Sequence, residues 1–131
     1  NYVSGQLIKA MIKKGINVEG SNVLILGFTF KENCPDIRNT RIIDVVKELG
    51  NYSCNVDIFD PWVDAEEVEE EYGIIPVSEI KAASYDAIIV AVGHEQFKKM
   101  GSTDIRGFGK DKHVLYDLKY ILSPEQSDVR L

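Results

Sequence analysis

Five short apolar runs punctuate this chain: Val23-Leu24-Ile25-Leu26, Val56-Asp57-Ile58-Phe59, Ile74-Ile75-Pro76-Val77, Ala87-Ile88-Ile89-Val90-Ala91-Val92 and His113-Val114-Leu115-Tyr116. They are mostly continuous rather than alternating, the pattern of parallel strands covered on both faces. Amphipathic stretches lie between them. The order therefore predicts an α/β fold, a Rossmann-like three-layer sandwich with a mostly parallel five-stranded sheet and helices on both faces. A length of 131 residues suits one such domain and leaves no room for a second.

The intervening segments carry helical signals. Val3, Leu7, Ile8, Met11 and Ile12 recur at helical spacing before Gly15, so residues 2–14 are expected to form an amphipathic helix whose stripe needs a cover. The chain begins in mid-pattern and without Met. We read residues 1–20 as the end of a longer linking element and residues 21–131 as the domain proper. Ile42, Val45, Val46 and Leu49 line a second helix, opened by Asn39 or Thr40 and stopped at Gly50. Asp64 and Glu67 resemble a capping box for a third, whose Glu66, Glu67, Glu69, Glu70 and Glu71 form a solvated acidic face. Ser78 is expected to cap a short helix ending near Ser84, and Glu95 to Met100 to form another. No internal repeat or low-complexity segment occurs.

A net charge of −6 argues against a general nucleic-acid or anionic-membrane surface, so an anionic ligand must be met by local cations. No apolar run reaches the roughly 20 residues of a membrane helix. Cys34 and Cys54 have neither metal-ligand spacing nor a His cluster beside them. No metal site is expected, and two reduced thiols imply the cytoplasm.

In an open α/β sheet, ligands meet the carboxyl ends of the strands. There the first strand runs into Gly27-Phe28-Thr29-Phe30-Lys31-Glu32-Asn33-Cys34-Pro35-Asp36-Ile37-Arg38-Asn39-Thr40. A dinucleotide fingerprint needs glycines at close approach to the pyrophosphate, and this loop has Thr29 and Glu32 instead. Asp60, ending the second strand, could imitate the ribose-binding acid, but its distance from Gly27 exceeds the usual span. A Walker loop is absent. Lys31 and Arg38 are thus the cations beside the second helix, and Lys119, in Asp117-Leu118-Lys119, is expected at the same edge. Either the three converge on an anion, or each is a surface charge paired with Asp36, Asp117 or Glu32. Phe30 is a stacking ring or a core residue, and residue type alone favours the core. Pro35 stiffens the loop, and Asp36 is placed to orient Arg38 by a bidentate pair. His94 could be an acid or base, although a lone His at a helix start is more often a cap or a hydrogen-bonded structural residue. Cys34 lacks an activating His and reads as structural.

Gly27 to Thr40, Val56 to Pro61, Gly93-His94-Glu95-Gln96-Phe97 and Asp117 to Lys119 together resemble the carboxyl-terminal UDP-binding domain of the UDP-glucose/GDP-mannose dehydrogenase family. Asn33 to Thr40 is most similar to the bacterial UDP-N-acetylhexosamine 6-dehydrogenase branch, which supplies uronic sugars for surface polysaccharide. The resemblance implies oxidation of the sugar C6 alcohol in two NAD-linked steps through a thiohemiacetal and thioester on a Cys of a central region. It implies that Phe30, Lys31 and Lys119 contact the UDP-sugar, and that Arg38 reaches toward NAD held on an amino-terminal domain. Many relatives carry Arg at the position of Lys119. The NAD domain and the catalytic Cys fall outside this chain, whose cysteines lie in no matching context, so it contributes no catalytic residue of its own. Ser127 to Leu131 resembles the family's natural terminus. Relatives dimerise through the central region, which implies a homo-oligomer for the whole protein and weak or no self-association for this chain. Two other readings stand beside it: a stand-alone Rossmann-like nucleotide-sensing or regulatory module, and an interaction module using the acidic helix, which leaves Lys31, Arg38 and Lys119 unassigned.

Overall fold

The computed structural model describes residues 2–131. It has α1 (Tyr2–Lys13), β1 (Asn22–Leu26), α2 (Ile42–Asn51), β2 (Asn55–Phe59), α3 (Ala65–Tyr72), β3 (Tyr85–Val90), α4 (Glu95–Arg106), β4 (Gly109–Asp117), a 3-10 turn (Pro124–Gln126) and β5 (Val129–Arg130). The strands form one sheet in the order β2-β1-β3-β4-β5, with every pairing parallel. The expected α/β architecture is present.

Successive residues of β1 explain the two-sided burial. Val23 and Ile25 join Ala87, Ile89, Val114 and Tyr116 under α1 and α2, whereas Leu24 and Leu26 join Ile88, Val90 and Leu115 under Phe97 and Ile105 of α4. Helices on both faces make continuous apolar strands the stable choice. The stripe of α1 lies on the first of these faces, with Leu7 and Met11 fully buried. Each such side chain contributes on the order of 2 kcal/mol by leaving water.

Several local expectations need correction. Ile74 to Val77 is not a strand: Val77 N–H donates one bond to Ile58 O, but Pro76 has no N–H to extend a ladder and Ile75 is exposed. The fifth strand is instead Val129–Arg130, paired with Tyr116 and Asp117. No helix follows Ser78, because Ala83 adopts φ 53° and the segment turns rather than coils. The helix at Glu95 continues to Arg106, with its first piece ending near Met100 where Gly101 takes φ 72°. Gly50 lies inside α2, which ends at Asn51. Asp64 caps α3 by accepting the Glu66 N–H, and Gly73 closes it in the left-handed region.

Candidate functional site at the carboxyl rim of the sheet

At the end of β1 the backbone must turn close over β3. Gly27 has φ 104°, and a Cβ there would lie 2.6 Å from Val92 Cβ and 2.8 Å from Val92 N. Only glycine meets both demands. The loop that follows is closed on itself by Phe30 N–H donating to Asp36 O.

Beneath this loop lies a buried polar cluster. Asp60 Oδ2 accepts the Phe28 N–H at 2.6 Å and the Thr29 N–H at 3.1 Å, while Oδ1 accepts the Trp62 N–H at 2.8 Å. His94 Nε2 lies 3.0 Å from Asp60 Oδ2 and 3.1 Å from Thr29 Oγ1, and Asn33 N–H donates to His94 Nδ1 at 2.9 Å. Because Nδ1 accepts, Nε2 carries the proton and donates. Burial pushes the Asp60 carboxyl up, yet the bonds from His94 and from the Phe28 and Trp62 amides outweigh it and hold the carboxyl below its ordinary range. Both carboxylate oxygens are thus used within the protein, so Asp60 cannot serve as a ribose-binding acid. With both nitrogens engaged and the side chain fully buried, His94 is a structural hydrogen-bonding residue rather than a free acid or base.

Asp117, at the end of β4, plays a parallel part. Its buried carboxylate accepts the backbone N–H groups of Lys119, Ile121 and Leu122. The following loop is anchored by those bonds, and the Lys119 side chain points away, exposed. It lines a small cleft of about 120 Å³ together with Thr29, Phe30, Thr40, Arg41, Ile42 and Val92. Phe30 is 56% exposed there, so the core reading of that ring is wrong; the Phe30–Asp36 backbone bond turns the side chain outward.

The cations separate into two kinds. Arg38 forms the expected bidentate pair with Asp36, at 3.0 and 3.1 Å. The Arg38 hydrogen bonds hold the half-buried Asp36 carboxyl below its ordinary range and raise the guanidinium in turn. Lys31 and Lys119 make no ion pair among the described residues, so neither is neutralised by Glu32 or Asp117. Lys119 faces Phe30 across the cleft, whereas Lys31, one residue on, lies outside its lining. Arg41 is a cleft residue that sequence reasoning missed. Its signal was its place at the helix entrance: it is the cap residue of α2, while Thr40 Oγ1 accepts the Ile42 N–H. Cys34 and Cys54 are free thiols. Among the described residues no cluster of His, Cys, Asp and Glu could hold a metal ion, and no helix is long and apolar enough to cross a membrane.

Residues 24–124, which include every rim residue just described, match the model of the UDP-glucose/GDP-mannose dehydrogenase family, UDP binding domain. The chain belongs to this family. It is 88% identical over 131 residues to a UDP-N-acetyl-D-glucosamine 6-dehydrogenase of Salmonella typhi, covering all of this chain and 31% of that protein. It is 56% identical over 130 residues to a protein of the same description from Pseudomonas aeruginosa, covering 99% of this chain and 31% of the relative. The chain thus spans about a third of these relatives' length. Among solved structures, an NDP-N-acetyl-D-galactosaminuronic acid dehydrogenase from Methanosarcina mazei Go1 superposes with a TM-score of 0.80 at 22% identity, over 95% of this chain and 26% of the other. A UDP-D-ManNAc dehydrogenase from Pyrococcus horikoshii gives 0.75 at 21% identity, over 94% and 28%. At these identities the likeness concerns the fold, and that fold is the Rossmann-like one expected of the family domain.

Proposed function

We propose that this chain is the nucleotide-sugar-binding part of an NAD-dependent UDP-N-acetylhexosamine 6-dehydrogenase of the cytoplasm. The reading is supported by the cleft that the exposed Lys119 lines together with the outward ring of Phe30, next to Lys31 in the same loop, all within the family's UDP binding domain. In this reading the lysines meet the diphosphate as point charges and Phe30 packs against the nucleotide sugar. Holding the diphosphate orients C6 toward groups supplied by the rest of the polypeptide.

The residues here do not fit a self-contained NAD site. Thr29 and Glu32 stand where a fingerprint needs glycines, and Asp60 is consumed by four internal donors. NAD belongs with another part of the whole protein, and Arg38, exposed and oriented by Asp36, is the residue of this chain that reaches toward it. A cleft of about 120 Å³ is well below the roughly 300–1,000 Å³ of sites that enclose a small ligand. This rim is therefore one wall of a larger site, and the chain alone binds weakly and does not turn over NAD.

Calorimetry with UDP, ADP and inorganic phosphate tests the reading. UDP is expected to bind best, and Lys31→Ala and Lys119→Ala each to weaken it by about fivefold at low salt, an effect that shrinks as salt rises. Equal affinity for UDP and ADP, or unchanged binding in both variants, would overturn it.

A further inference from the structure

Phe30 and Lys31 are exposed, but the backbone that carries them is pinned at each side by one buried ring. On one side, His94 Nε2–H is shared between Asp60 Oδ2 and Thr29 Oγ1, and the Thr29 hydroxyl donates in turn to the carbonyl of Lys31 at 2.9 Å. On the other, His94 Nδ1 accepts the Asn33 N–H. Asn33 is held in the left-handed region at φ 55°, a conformation Asn tolerates better than most residues. Its Oδ1 accepts the N–H of Glu95, the first residue of α4. The loop thus spans from β1 to the start of α4 with its two rim residues between two hydrogen-bonded posts.

We infer that His94 is a positioning residue of the nucleotide rim: without touching the ligand, it latches the Asn33 amide and the Thr29 hydroxyl so that Phe30 and Lys31 present a fixed face. The inference rests on the proposed nucleotide-sugar site. Few side chains satisfy the cluster, which requires a donor toward Asp60 and an acceptor toward Asn33 at opposite edges of one rigid group. A group serving only as core filler would need neither.

The two halves can be separated by substitution. In His94→Gln the amide nitrogen extends toward Asp60 and keeps that donor, but nothing remains to accept the Asn33 N–H. In His94→Asn the shorter amide oxygen keeps the Asn33 acceptor and the donor toward Asp60 is lost. For His94→Gln we expect amide exchange at Asn33 to quicken and UDP affinity to fall, each by about tenfold, the equivalent of one lost buried hydrogen bond. For His94→Asn we expect lower global stability with UDP affinity per folded molecule nearer to that of the unsubstituted chain. Nitrogen-15 spectra of the unsubstituted protein should show a proton on Nε2 and none on Nδ1.

A His94→Gln protein with unchanged rim exchange and unchanged UDP affinity refutes the inference, as does a proton on Nδ1. If the unsubstituted chain fails to bind UDP, the nucleotide reading falls by itself. The exchange rate of the Asn33 amide then still decides whether His94 positions the loop.

Discussion

Replacing Asp60 by Asn is the most demanding test of how the rim is built. The carboxylate accepts three donors on Oδ2 and one on Oδ1, whereas an amide has one accepting side. With its oxygen toward Phe28, Thr29 and His94, the new NH2 confronts the Trp62 N–H, which is left unsatisfied at about 1–3 kcal/mol. The three bonds on the other side lose the assistance of a charge, about 1 kcal/mol for each at most. The expected cost is about 4 kcal/mol, a large share of a domain's usual 5–15 kcal/mol. In urea it should appear as a midpoint lowered by about 2–3 M with the slope unchanged.

The same substitution carries a pH signature. Asp60 has its folded-state pKa depressed, so its contribution to stability is present above the unfolded carboxyl pKa of about 4 and is lost as pH falls through the folded value. The amide that replaces it in the Asp60→Asn variant does not titrate in this range. The stability gap between the two proteins must therefore be widest near neutrality and narrow below about pH 4. Asp36 and Asp128, whose carboxyls are also held low, titrate in both proteins and cancel in the difference. A cost under about 1 kcal/mol, or a gap that stays constant down to about pH 3, would refute the argument that this buried carboxylate organises the loop.

Two further outcomes follow from the scaffold. Gly27→Ala forces a Cβ to within 2.6 Å of Val92 in a backbone conformation that side chains avoid, so we expect a loss of about 3 kcal/mol or more by urea denaturation that Val92→Ala does not restore. Asp128 accepts the Leu115 N–H and bonds Arg106 and Lys14, tying β5 to the sheet and to α1. Asp128→Ala should cost about 1–2 kcal/mol and quicken amide exchange at Leu115 more than at Ile25.

The sheet was legible because continuous apolar runs have few stable homes, and the rim was legible because cations follow the ends of β1 and β4 in sequence. What escaped were features decided by neighbours rather than by residue type. β5 has two residues, too few for any periodicity, and a parallel partner in β4 alone makes it a strand. Phe30 looks like core by composition, and only the turn closed by Asp36 sends it outward. Arg41 enters the cleft through the phase of a helix cap, which an error of one residue in the helix start conceals.

The two aspartates show why charge placement at a strand end cannot be read from the strand itself. Asp60 and Asp117 end β2 and β4 where a ligand-facing acid would also stand, and nothing in their sequence neighbourhoods distinguishes an acid that meets a ligand from one that accepts backbone amides. In the folded chain both face inward, each accepting three backbone N–H groups. That inward turn leaves Lys119 unpaired, since the nearest acid in sequence is already fully engaged with the backbone. An exposed cation beside a buried, satisfied carboxylate keeps its charge available for an anion in solution. The Asp117 carboxylate keeps its own charge; what its backbone bonds decide is geometry, since they leave the Lys119 ammonium without an ion-pair contact that an incoming anion would have to displace.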